Sequence, residues 1–103
     1  MIELTYKTVQ LIDKLFEEVD RQEASKLLKF ECADNIAFNN DNNPIGMERI
    51  RFAAIKLSKG NLAKLYYAVD LAQKDWRDLL LFSDCAHDLN SHEIWANNVL
   101  NNE

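Results

Sequence analysis

The sequence predicts an all-α chain, a compact bundle of about five to six short helices around one core. Three observations carry this expectation. Apolar residues recur at intervals of three and four through most of the chain, the period of a helix that buries one face. Two glycines and one proline among 103 residues leave the backbone few breakers. No stretch of useful length alternates apolar with polar residues as a half-buried strand does.

Residues 4–19 read as the first helix, with Leu4, Val9, Leu11, Ile12, Leu15, Phe16 and Val19 apolar and Lys7, Gln10, Asp13, Lys14 and Glu17 toward water. Asp20 and Glu23 have the spacing of a capping box, in which each side chain satisfies an orphan backbone N–H, so a second helix should start there. Its apolar positions Ala24, Leu27, Leu28 and Phe30 are regular. Beyond them Glu31, Cys32, Ala33, Asp34, Ile36, Ala37 and Phe38 blur the stripe, and the helix should end near Phe38. Residues 39–43 (NNDNN) are a low-complexity segment whose short polar side chains bond to their own backbone, which predicts a loop.

Asn43 and Pro44 make an N-cap and first-turn pair for a third helix, ended by Lys59 and Gly60. Met47, Ile50, Ala54 and Leu57 line one side and Phe52 and Ile55 another, so this is the central helix. Asn61 caps a fourth helix bearing Leu62, Leu65, Tyr66, Val69 and Ala72, and the tight connection at Gly60 should fold the two into an antiparallel hairpin. Asp75 and Asp78 resemble another cap, before Trp76, Leu79, Leu80, Phe82 and Ala86 on a short fifth helix or a continuation of the fourth. Asn90 and Glu93 repeat the capping spacing and open a terminal helix through Ile94, Trp95 and Val99.

The length suits a single domain spanning residues 1–103. Cys32 and Cys85 have neither the spacing of a disulfide framework nor that of a zinc site and read as free thiols of a reducing compartment. The opening residues hold no apolar run that would make a signal peptide or membrane span, so the expected location is cytoplasmic. The net charge of −5 conceals a pattern: residues 1–43 carry nine acids and five bases, residues 44–74 two and six, residues 75–103 six and one. Mutual neutralisation between packed elements is the ordinary explanation, and an acidic face for a basic partner the sharper one.

Asp84, Cys85, His87, Asp88, His92 and Glu93 form the one cluster with chemical potential, holding both histidines within six residues. On one continuous helix Asp84 with His87 and Asp88 with His92 would share a face, as metal ligands do. The five-residue spacing of the histidines and the break at Leu89 and Asn90 fit a solvated interhelical turn better than a closed zinc site. Glu31 and Asp34 interrupt an apolar stripe and call for a partner such as Arg49 or Arg51. The basic set Arg49, Arg51, Lys56, Lys59 and Lys64, with Tyr66 and Tyr67, is too dispersed in an acidic chain to predict nucleic-acid binding. Phosphate loops, nucleophile elbows, paired cysteines and calcium loops are absent from the sequence, which predicts no cofactor. Residues 48–57 (ERIRFAAIKL) and 75–81 (DWRDLLL) suggest small bacterial helical proteins but resemble no named family, so no residue roles are transferred.

The leading functional expectation is a protein-binding module of the immunity-protein or antitoxin kind. Asp75, Asp78, Asp84, Asp88 and Glu93 would steer a basic partner, and Trp76, Phe82 and Trp95 would supply contact surface, although core packing also accounts for the tryptophans. One alternative is a metal-dependent or acid–base enzyme using His87 and His92 with Asp84 and Asp88. The other is a structural subunit of a homo-oligomer, such as a twofold dimer formed through the third helix.

Overall fold

A computed structural model describes residues 3–32, 44–86 and 90–101. Five α-helices follow in order: α1 (Tyr6–Leu15), α2 (Glu18–Lys26), α3 (Pro44–Ser58), α4 (Leu62–Phe82) and α5 (Ser91–Asn101), with no strand among the described residues. The all-α bundle is therefore as the sequence predicts. The expected loop at residues 39–43 lies outside the described residues, as do Asp34, His87 and Asp88.

The first two helices are divided differently from expectation. Thr5 caps α1 by accepting the N–H of Thr8, and α1 stops at Leu15 because Phe16 turns extended. Burial of Phe16 holds that corner, and its carbonyl accepts Arg21 Nε at 3.1 Å. The next helix begins at Glu18, two residues before the Asp20 capping box; its N-cap, Glu17, makes no side-chain capping bond. Val19 consequently leaves the predicted stripe of the first helix and is 84% exposed.

The end of α2 widens into a π-helical turn over Leu27–Glu31. In a straight α-helix the buried positions Leu27 and Leu28 would share their face with Glu31. The wider turn, closed by i→i+5 bonding, moves the buried position on by one residue. Cys32 is fully buried, whereas Glu31 and Phe30 are exposed. This corrects the placement of Phe30 on the apolar face and removes the expected misfit of Glu31.

Arg51 on α3 secures the turn. The last carbonyls of a helix lack intrahelical partners. Arg51 Nε donates to the carbonyls of Leu28 at 3.0 Å and Cys32 at 3.1 Å, and its Nη1 to that of Glu3 at 3.0 Å. Arg49 Nη2 likewise donates to the carbonyl of Cys85 at 2.8 Å. Glu31, expected to seek an arginine, instead meets Gln73, whose Nε2 donates to the Glu31 carbonyl at 2.7 Å.

The central position of α3 follows from its sequence. Residues 50–55 are buried on every side, and the helix packs on α1, α4 and α5. It turns into α4 through Lys59 (φ 53°) and Gly60 (φ 80°), two successive left-handed residues. Ser58, fully buried, donates to the Ile55 carbonyl and accepts the Gly60 N–H. Asn61 then caps α4 by accepting the Lys64 N–H at 3.0 Å, completing the antiparallel hairpin.

The fourth and fifth predicted helices are one helix with a kink. Asp75 alone leaves helical geometry, and its carboxylate accepts the Arg77 N–H at 3.1 Å, as an N-cap does. At the far end of α4, Asp84 is left-handed (φ 64°). The Cys85 N–H reaches the Leu80 carbonyl and the Asp84 N–H that of Leu81, the two bonds of a Schellman motif, over buried Leu80 and Cys85.

Candidate functional site

The sequence-predicted acids are placed separately. Asp75 serves the kink in α4 and lies 3.9 Å from Arg77, while Asp78 is half-buried on the next turn. Glu93 is exposed in the first turn of α5. Asp84 lines a groove of about 420 Å³ between α3, the end of α4 and α5, together with Lys56, Lys59, Phe82 and Trp95. An adjoining depression of about 280 Å³ adds Ser91 and Ile94. Among the described residues that line these two depressions, Asp84 is the one sequence-predicted acid, and two lysines accompany it.

His92 is not the solvated residue that its position in the sequence suggests. Only 4% of it is exposed, and its ring lies 5.4 Å from that of Phe52, so it is part of the packing between α5 and α3. Among the described residues there is no group of three or more His, Cys, Asp and Glu side chains placed to hold a metal. The other members of that expected set, His87 and Asp88, lie outside the described residues. Trp76 and Trp95 are half-buried against the core, each presenting part of its ring to the surface, and Arg77 lies over Trp76 at 5.7 Å.

A different face gathers acids and aromatics. Two depressions adjoin at Leu27 and Glu31, one of about 240 Å³ on α2 and its π-turn and one of about 250 Å³ between the π-turn and α4. Phe30, Glu23 and Lys26 line the first, Tyr66, Val69, Asp70 and Gln73 the second, and Leu27 and Glu31 both. Phe30 is 52% exposed and Tyr66 46%, although the sequence assigned both to apolar, core-facing stripes.

Local bonds orient this face. The Tyr66 hydroxyl donates to the Glu23 carboxylate, and that carboxylate raises the phenol's pKa by stabilising its protonated form. Lys74 Nζ lies 2.9 Å from Asp70 one turn away, and the hydrogen bond raises the pKa of the lysine. Gln73 holds Glu31 through its backbone carbonyl. The sequence signal for this face was present in two forms: the acidic excess of residues 1–43 and a carboxylate beside Phe30 on a supposedly buried stripe. The π-turn, which turns both residues outward, has no signature in residue spacing alone.

No helix among the described residues is long and apolar enough to cross a membrane. Compared with protein families, curated proteins and solved structures, the chain matches none.

Proposed function

We propose that this chain is a protein-binding module that receives a basic partner on the face formed by the α2 π-turn and α4. The observation that supports this most is the coincidence of Glu23, Glu31 and Asp70 with exposed Phe30 and Tyr66 along one pair of depressions. Exposed aromatics bordered by charge have the composition of a contact surface: the rings gain from leaving water, and the carboxylates attract and orient a partner of opposite sign. The groove at Asp84 sets Lys56 and Lys59 against one acid, whereas the other face sets Lys26 against Glu23, Glu31 and Asp70. The acidic partner-binding surface thus moves from the C-terminal acids to Glu23, Glu31 and Asp70.

Affinity capture from native cell extract tests the reading by comparing the chain with its Glu23→Lys, Glu31→Lys, Asp70→Lys variant at low and moderate salt. The expected result is a basic protein recovered in stoichiometric amount by the native chain, depleted by salt and absent from the variant. Equal recovery by both chains would refute the assignment.

A further inference from the structure

The groove between α3, the end of α4 and α5 carries charges of both signs around an apolar centre. Lys56 enters from the last turn of α3 and Lys59 from the hairpin, while Asp84 enters from the turn that ends α4. Phe82, Trp95 and Ile94 supply the apolar surface, and Phe82 and Ile94 are each more than half exposed. We propose that a second copy of this chain covers this groove in a twofold contact.

The argument rests on self-complementarity. In a twofold interface each patch meets its own copy, so a patch of one sign repels itself and a patch of both signs attracts itself when the signs are offset. Lys56 and Lys59 of one protomer can then face the partner's Asp84, and the symmetry repeats the pairing. A strongly acidic partner would meet Asp84 unfavourably, and a basic one would meet two lysines. Burial of Phe82, Ile94 and the open edge of Trp95 supplies the attraction, and the charges set the register.

The charged positions are also held in place. Asp84 is fixed by the Schellman bonds and by Arg49, which donates to the carbonyls of Cys85 and Ala86. Lys59 is fixed in the left-handed turn beside Gly60. Association then orders side chains on a backbone that is already fixed.

Sedimentation equilibrium of the full chain over a concentration series tests the proposal. The weight-average mass should rise from the monomer value of 12.0 kDa toward twice that value. Phe82→Glu, the pair Lys56→Glu with Lys59→Glu, and Asp84→Lys should each weaken self-association by about tenfold or more. Mixing the lysine-reversed chain with Asp84→Lys should restore a heterodimer, because every facing pair is then opposite in sign. Reversing Glu23, Glu31 and Asp70 should leave self-association unchanged, which separates this contact from the acidic face. A native chain that stays at 12.0 kDa throughout would overturn the proposal. So would surface variants that associate as strongly as the native chain, a mixture no stronger than its components, or a dimer lost on reversal of the acidic face.

Discussion

A Cβ added at Gly60 would sit on the carbonyl oxygen of Leu15, in a backbone with φ of 80° that side-chain-bearing residues rarely adopt. Overlap with backbone and a left-handed conformation both oppose the change, so Gly60→Ala should cost at least about 2 kcal/mol, measured by urea denaturation. Asp84 is also left-handed, but there the Schellman motif itself favours glycine, and Asp84→Gly should leave stability unchanged or raise it by up to about 1 kcal/mol. Arg51 acts in the opposite way to a surface charge. It is 1% exposed and bonds the carbonyls of Leu28 and Cys32 in the interior and that of Glu3 nearer the surface, so Arg51→Met orphans two buried acceptors together. At about 1–3 kcal/mol for each buried unpaired group, the expected loss is roughly 2 kcal/mol or more. That is a large part of the 5–15 kcal/mol, roughly, that holds a domain together.

The thiol of Cys32 adds a pH dependence. Burial pushes its pKa from 9.0 up to about 12, against a smaller lowering by Arg51. The folded chain holds the thiol proton more tightly than the unfolded chain. Both states are protonated below pH 9.0, so this contribution is fully present there and is lost as pH rises toward about 12. Denaturation midpoints measured across that range should fall, and a Cys32→Ala variant should show a shallower decline.

At the scale of the element, the π-turn decides which residue of α2 faces the core. Glu31→Ala should change stability by less than about 0.5 kcal/mol, whereas Cys32→Glu, which places a charge in the core, should abolish cooperative unfolding. A straight α-helix would bury Glu31 with Leu27 as well as Cys32 with Leu28, so the small effect at Glu31 is what reads the register. The same turn explains how far this part of the fold was legible. Positions Ala24, Leu27 and Leu28 obey helical spacing and are buried as expected, but one residue of extra winding then puts Phe30 and Glu31 outside. The group that holds this end lies 19 and 23 residues away in Arg51, whose guanidinium binds the carbonyls of Cys32 and Leu28, and spacing within the helix contains no trace of it. Where a local signal is sufficient, it was readable: Pro44 opens α3, Asn61 caps α4, and Lys59 with Gly60 closes the hairpin. The box at Asp20 and Glu23 failed because Phe16 is buried as the corner residue and the next helix can start at Glu18 without a side-chain cap.

For the whole molecule, the charge pattern along the sequence was a partial guide. The basic middle block does not form one stripe: Arg49 and Arg51 are spent on backbone carbonyls, and Lys56 and Lys59 share a groove with Asp84. The C-terminal acids are distributed between a helix kink, a helix end and the start of α5, whereas acids from α2 and α4 meet beside exposed aromatics. The acidic face could not be read from spacing because it joins residues 23–31 to residues 66–73 across the bundle. Exposure of Phe30 and Tyr66 beside three acids, in a chain with enough other apolar residues to fill its core, is what supports the role proposed for the face.

Amide hydrogen exchange of the chain alone and in complex with its captured basic partner tests that role most directly. The account predicts slowed exchange confined to residues 23–31 and 66–73, with residues 91–98 of α5 unchanged. Slowed exchange in α5 with none in the α2 π-turn or along α4 would contradict it.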